Sequence, residues 1–198
     1  DGGDGDLERL SRLRWLDSTI GLDDDVVAPY IPMKVHGRTV RCLGREVKLA
    51  DTGLPGSIKS GGREILARPM TFVVETAQGV ARWTGGKPKM IHAGPGSVTW
   101  QSECSAGGLR LTCQAKMEFD GYTNFRISVA ADGPVDVRDI RLEIPIKREV
   151  ATYMMGLGRE GGYRPEKWEW VWDIDRCNNA VWIGDVDAGL QCKLKGPE

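Results

Sequence analysis

The stretch Ser97–Phe119, SVTWQSECSAGGLRLTCQAKMEF, decides the fold of this 198-residue chain. Its second half has apolar residues at every second position, namely Leu109, Leu111, Cys113, Ala115, Met117 and Phe119. Successive side chains of a β-strand point to opposite faces, so this alternation predicts a strand with one buried face. Two glycines, Gly107–Gly108, lie at the bend between the two halves. The stretch therefore predicts a β-hairpin.

The same period of two continues on both sides of the hairpin. Downstream it runs through residues 122–129 and 140–146 to a last hairpin around Asp185–Gly189, and upstream it covers residues 40–76 with glycine turns. Strands about every ten residues, without helical crossovers, predict an all-β, antiparallel β-sandwich that forms a single domain over residues 1–198. Leucines in steps of three from Leu7 to Leu16 predict one short helix in an N-terminal lead-in of about 20 residues.

Charge and composition exclude several partners. The 27 basic and 28 acidic residues are interspersed and give a net charge of −1, whereas nucleic acids and anionic membranes select clustered basic patches. The chain contains no apolar run of membrane-spanning length and no signal-peptide pattern at its start. We therefore expect neither a nucleic acid nor a membrane as partner.

The cysteines and histidines favour neither a metal site nor a cofactor. Five cysteines and two histidines occur without C-x-x-C spacing, so we expect no zinc and no cofactor. If the hairpin turn centres on Ala106–Gly107, Cys104 faces Leu109 and Cys113 faces Trp100, and we expect no disulfide between these two cysteines. Neither histidine lies in a nucleophile motif.

Three tryptophans alternate in the stretch Tyr163–Asp175, YRPEKWEWVWDID. On a strand, Trp168, Trp170 and Trp172 would share one face. This stripe is interpreted as the buried face of a strand, as a contact with another domain, or as a platform for sugar rings, with burial favoured because aromatic side chains mostly lie in cores and interfaces. Trp182 is a further candidate for the sugar site.

A glycine-rich segment, GLGREGGYRP, precedes the tryptophans and predicts a loop. It matches neither a dinucleotide fingerprint nor a phosphate-binding loop. The polar or aromatic groups that it can present to a sugar or to a neighbouring domain are Arg159, Glu160, Tyr163 and Arg164.

Acidic residues give only weak indications of catalysis. The run Asp23–Asp25 is interpreted as a solvated turn, and the pairs Asp173/Asp175 and Asp185/Asp187 lack the spacing of a calcium loop. Carboxylate pairs at the separation that a glycosidase needs occur by chance in acidic sandwich proteins. No catalytic residue is assigned.

Long phrases of the chain resemble the N-terminal domain that precedes the catalytic barrel in glycoside hydrolase family 123. They include LRWLDSTIGLDDDVVAPYIPMKV, FDGYTNFRISV, GLGREGGYRPEKWEWVWD and NNAVWIGDVDAGLQCKLKGPE, and the likeness runs from Trp15 to the end. The resemblance implies a sandwich of the galactose-mutarotase-like or supersandwich kind. It also implies a bacterial, exported enzyme, periplasmic or extracellular, that acts as an exo-β-N-acetylgalactosaminidase.

The resemblance implies that the chemistry of the family is substrate-assisted and that an adjacent Asp-Glu pair in the barrel carries it out. This chain contains no such pair, so no catalytic residue is carried over. We expect a non-catalytic domain that supports or edges a barrel downstream in the same polypeptide, with the glycine loop and the tryptophans at the interface. The alternatives are a free-standing carbohydrate-binding module and, more remotely, a small enzyme built on the acidic pairs.

Overall fold

The structure, a computed structural model, describes residues 24–171, 173, 175–176 and 178–195. These residues form fifteen β-strands and no helix, which confirms the all-β prediction. The predicted N-terminal helix lies outside the described residues. Within the described ranges there is also no helix of the length and apolarity that a membrane crossing requires.

All strand pairs are antiparallel and lie in four sheets. Sheet I joins, in order, β1 (Lys34–His36), β2 (Thr39–Cys42), β3 (Arg45–Leu49), β4 (Pro55–Ser60) and β5 (Arg63–Glu64). Sheet II has the order β11 (Thr123–Ala131), β10 (Leu109–Glu118), β9 (Ser97–Ala106) and β8 (Lys89–Ala93). Sheet III has the order β12 (Val137–Glu143), β6 (Thr71–Thr76) and β7 (Gly79–Val80). Sheet IV joins β13 (Tyr153–Gly156), β14 (Ala180–Gly184) and β15 (Gly189–Lys193).

Sheets I and II pack face to face around the main core, as the sandwich prediction requires. Val40 and Val47 of sheet I meet Val98, Trp100 and Met117 of sheet II in one buried cluster. Each of these residues belongs to the apolar half of an alternating strand, so the alternation places them on the inner faces. A second cluster continues from sheet II to sheets III and IV through Phe72, Leu142 and Leu190.

The central hairpin is confirmed, but its register differs from the expected one. Its turn consists of Gly107 and Gly108, so Cys104 lies opposite Leu111 and Cys113 opposite Ser102. The two cysteines are buried and free, as are Cys42 and, half-buried, Cys192. Burial raises the pKa of the Cys113 thiol to about 12, which keeps it protonated and unreactive.

Candidate interaction surface

The glycine segment folds back along the edge strand of sheet IV. Gly156 and Arg159 exchange backbone hydrogen bonds of 3.0 Å in both directions, and the Met154 amide donates to the Gly162 carbonyl at 3.0 Å. The tight turn needs left-handed backbone angles, and even Leu157 adopts a φ of 51°. The segment is therefore an ordered arm, and the loop prediction is correct in outline.

The tryptophan segment does not form the predicted strand. Residues 164–171 belong to no strand, so the residues described here share no stripe. Arg164 forms the last backbone bond to the edge, from its amide to the Thr152 carbonyl at 2.9 Å. Pro165 follows, and because proline has no N–H it cannot extend the ladder.

Trp168 instead lies against the glycine arm. Its indole N–H donates to the Leu157 carbonyl at 3.0 Å, and the Arg159 guanidinium carbon lies 5.0 Å from its ring centroid, within cation–π range. The side chain is 44% exposed, so the expectation that the row of indoles is buried is wrong for this residue. Trp170 is half-buried, and Trp172 lies outside the described residues.

Sheet IV has one covered face and one open face. On the covered face, the buried Met154 lies opposite Ile183, and Ile183 lies opposite Leu190 on the next strand. Leu190 packs on the core. The outer face of sheet IV, as we call it here, consists of Tyr153, Met155, Trp182, Gly184, Gly189 and Gln191. Since Met155 is 51% exposed, this face presents an apolar side chain to solvent.

Trp182 covers the middle of the outer face of sheet IV. A Cβ atom added at Gly184 or Gly189 would lie 2.6 or 2.8 Å from its indole ring, so the ring lies against the backbone of both glycines. Beside it, the rings of Tyr153 and Tyr163 pack with centroids 5.2 Å apart. The result is a broad aromatic surface beside the glycine arm.

A family model described as "Glycoside hydrolase 123, third domain" matches residues 33–198, which include every strand that the structure describes. The chain belongs to this glycoside hydrolase 123 family. The match agrees with the sequence resemblance on the family, although its description names a third domain and the resemblance was to an N-terminal one. A comparison with curated proteins found no match.

A glycoside hydrolase 123 third domain implies other domains in the same polypeptide. An exposed apolar face on such a domain is therefore a natural place for an interdomain contact, because single domains seldom leave large apolar patches uncovered.

The structure brings together only part of the residues that the sequence singled out. Arg159, Tyr163 and Trp168 meet at the arm, where the Arg159 guanidinium also donates to the Tyr163 carbonyl at 3.4 Å. Glu160 is exposed, and Arg164 donates to the carbonyls of Ala151 and Pro165 at 3.0 Å, which gives it a structural role.

Sequence reasoning missed Tyr153 and Met155. The stretch Tyr153–Gly156 was not recognised as a strand, although Tyr153 and Met155 have the alternate spacing that places two residues on one strand face. An alternation of only two residues in a four-residue strand cannot be distinguished from chance.

Among the described residues, Asp24, His92 and Ser97 form the group that most resembles a catalytic triad, but the order of the three side chains differs from that of a triad. The Asp24 carboxylate accepts from the Ser97 hydroxyl at 2.8 Å and lies 3.1 Å from His92 Nε2, and these hydrogen bonds, that of Ser97 first, lower its pKa. In a nucleophile relay the imidazole lies between the acid and the hydroxyl. Here the carboxylate of Asp24 lies between the imidazole and the hydroxyl, so the group holds residue 24 against sheet II. The expectation that Asp23–Asp25 only solvates a turn is therefore wrong for Asp24.

The acidic hairpin Asp185–Gly189 is also structural. Asp185 accepts from Arg63 at 2.7 Å and from the amides of Asp187 and Ala188 at 2.9 and 2.8 Å. The hydrogen bond from Arg63 is the main cause that lowers the pKa of Asp185 to about 2. Arg63 lies on β5, so this ion pair ties sheet IV to sheet I. Among the described residues, no group of three or more metal-ligating side chains comes together.

We expect Asp185→Asn to lower the stability of the fold in a pH-dependent way. The folded pKa of Asp185 lies below its unfolded value, so its charge stabilises the fold fully above about pH 4 and this contribution is lost as the pH falls towards 2. Thermal unfolding midpoints of wild type and variant should therefore differ at pH 7 and converge near pH 2. Asp187→Asn is the matched control, because Asp187 also lies close to Arg63, at 3.2 Å, but its side chain is 72% exposed. A difference between wild type and Asp185→Asn that is the same at all pH values would contradict this role of the charge.

Proposed function

We propose that this chain is a non-catalytic domain of a bacterial, exported glycoside hydrolase of the N-acetylgalactosaminidase kind. Its role is to support a catalytic barrel in the same polypeptide by docking through the outer face of sheet IV and the glycine arm. The observation that carries the proposal is the surface formed by the exposed residues Met155 and Tyr163 and the half-buried Trp182, on a domain whose family implies neighbouring domains. A periplasmic or extracellular location goes with this proposal.

The acids of the chain support a non-catalytic role. The chain has no adjacent Asp-Glu pair, which substrate-assisted members of the family use according to the resemblance. Asp185 is bound to Arg63, and Asp173 accepts from the amide of Arg176 at 3.2 Å. Carboxylates that are held in this way are poorly placed to transfer protons to a substrate.

One observation favours a second role, the binding of sugar by a carbohydrate-binding module. The Trp182 indole lies against two glycines and is still partly exposed, so part of the ring is accessible to a sugar. Calorimetry of the isolated chain with N-acetylgalactosamine oligosaccharides separates the two roles. Saturable binding that is lost in Trp182→Ala would support the module, and the absence of heat would support docking.

The docking role is tested with matched charge insertions in the full polypeptide and in the isolated 198-residue chain. Met155→Lys places a charge on the outer face of sheet IV, and Ile91→Lys is the control, because Ile91 is 62% exposed on sheet II. We expect Met155→Lys to lower the thermal stability and the glycosidase activity of the full polypeptide while the isolated chain unfolds as before. We expect Ile91→Lys to change neither.

Two results would overturn the proposal. One is that the isolated chain hydrolyses an aryl N-acetylgalactosaminide. The other is that Met155→Lys and Ile91→Lys behave alike in the full polypeptide.

A further inference from the structure

The outer face of sheet I is cationic, although the chain as a whole has a net charge of −1. Val40 and Val47 are buried on the inner face, so the residues next to them point outwards. The strand register then places five charged residues in one row across neighbouring strands, namely Lys34, Arg41, Glu46, Lys59 and Glu64. Three of the five are cations.

Ion pairs with neighbouring side chains neutralise the positive charges of this row only in part. Both Glu46 oxygens are engaged, one by Arg41 at 2.7 Å and the other by Lys59 at 3.6 Å. Lys34 lies directly opposite Arg41 on the adjacent strand, which sets two like charges side by side. Like charges in directly opposed positions destabilise a sheet, so an anion between them would relieve a cost that the fold carries.

A cleft of about 540 Å³ opens at this row. Its lining combines two apolar residues, Ile31 and Pro32, with the charged residues Lys34, Arg41, Arg45, Glu46 and Lys59 and with Cys42, Gly44 and Gly62. Ile31 is 47% exposed. Four cations and one carboxylate thus line the cleft. Two further acids act on these residues: Glu64 lies opposite Lys59 but accepts hydrogen bonds from the Ser57 hydroxyl and from the amides of Ile58 and Leu66, and Asp120 acts on Cys42.

We propose that this cleft binds the sulfate or carboxylate group of an anionic glycan. The paired cations Lys34 and Arg41 hold the oxyanion, since guanidinium and ammonium groups are the usual protein partners of such groups. Ile31 and Pro32 contact the C–H surface of the sugar ring that carries it. The anionic part of the proposal follows from the cleft alone, whereas the glycan part rests on the proposed function.

The test compares ligands on the 198-residue chain by calorimetry at low ionic strength. The ligands are chondroitin sulfate, uncharged dextran, inorganic sulfate and duplex DNA. Chondroitin sulfate should bind most tightly and weaken as salt is added, because exposed charge pairs are screened. Dextran should not bind, and free sulfate and DNA should bind more weakly.

Matched double variants locate the site. Lys34→Gln/Lys59→Gln removes two charges from the cleft, and Lys87→Gln/Lys89→Gln removes two exposed charges at β8 on sheet II. We expect the first pair to weaken chondroitin sulfate binding by about tenfold or more, since two charged contacts are lost, and the second pair to leave it unchanged. The Arg41–Glu46 ion pair remains in both variants, so the sheet should stay folded.

Several outcomes would overturn the proposal. They are the absence of chondroitin sulfate binding, an equal loss in the two double variants, and an affinity for DNA or for inorganic sulfate as high as that for the glycan. None of these measurements depends on the outer face of sheet IV or on turnover. Failure of this inference is therefore distinguishable from failure of the docking role.

Discussion

Replacing Trp100 by alanine should lower the free energy of unfolding by about 3–5 kcal/mol, the range for large aromatic truncations in cores. Trp100 is fully buried between sheets I and II, and its indole N–H donates to the Gly53 carbonyl at 2.8 Å. Alanine removes the ring that fills the sandwich and also leaves this carbonyl without its donor. Since domains are stable by only about 5–15 kcal/mol, urea unfolding followed by circular dichroism should show a much lower midpoint.

Trp100→Phe is the matched control for this prediction. Phenylalanine keeps an aromatic ring near Phe125, whose ring centroid lies 6.0 Å from that of Trp100, but it has no N–H group for Gly53. We expect a loss intermediate between wild type and alanine, because an unsatisfied buried carbonyl costs about 1–3 kcal/mol. A loss below about 1 kcal/mol for Trp100→Ala would show that this ring does not fill the main core.

The position of Trp100 explains why the fold class was predictable from sequence. Residues 98, 100, 102 and 104 are buried in alternation along β9, and β10 alternates in the same way from Leu109 to Met117. Two-sheet packing requires this alternation, so the sequence carries it over long strands. The strands of the second half of the chain, β11, β12, β14 and β15, were located for the same reason.

The register of the central hairpin was harder to predict. Both Gly107 and Gly108 have positive φ, 54° and 79°, as the two central residues of a tight hairpin turn require. A turn centred on Ala106 would force an alanine into this region. The expected register ignored that cost and placed the cross-strand partners of Cys104 and Cys113 wrongly.

The tryptophan segment shows a limit of alternation as a signal. Trp168 and Trp170 have strand spacing, yet a strand also needs a neighbouring backbone to pair with. The edge of sheet IV is taken up by the glycine arm as far as Tyr163 and Arg164, and Pro165 then prevents further pairing. Which backbone edge is free is a property of the whole fold, so a local pattern does not reveal it.

The same reasoning applies to the candidate surface. The sequence pointed to the correct region, because glycine-rich loops and tryptophans both suggest contact with another molecule. It did not show that Trp182 shares a face with Met155, since that depends on the pairing of β13 with β14. The cationic face of sheet I was hidden as well, because interspersed charges along the chain separate by sign only after the strands align.

Replacing Gly156 by alanine should destabilise the glycine arm more than the same replacement at any other glycine of the arm. Gly156 has a φ of +98°, and an added Cβ atom would lie 2.2 Å from the Ala180 carbonyl oxygen. That oxygen accepts the Leu157 amide at 3.1 Å, so the methyl group must displace the bond that joins the arm to β14. Strained backbone costs about 1–3 kcal/mol, and the displaced backbone adds to it. Urea unfolding measures the total, and the exchange rate of the Trp168 indole N–H, which donates to Leu157, reports on the arm itself.

Gly158→Ala separates the two causes, because Gly158 has a comparable φ of +80° but its nearest foreign atom, on Asn178, lies 3.9 Å from the added Cβ atom. This variant carries the backbone strain without the clash, so its loss of stability should be clearly smaller than that of Gly156→Ala, and the Trp168 indole N–H should stay protected from exchange. Equal losses in the two variants would mean that strain alone sets the cost and that the arm is not held by its contact with Ala180. If the arm is held in this way, Gly156→Ala should also weaken the proposed docking of the outer face of sheet IV in the full polypeptide, because Arg159 and Trp168 are positioned by the arm.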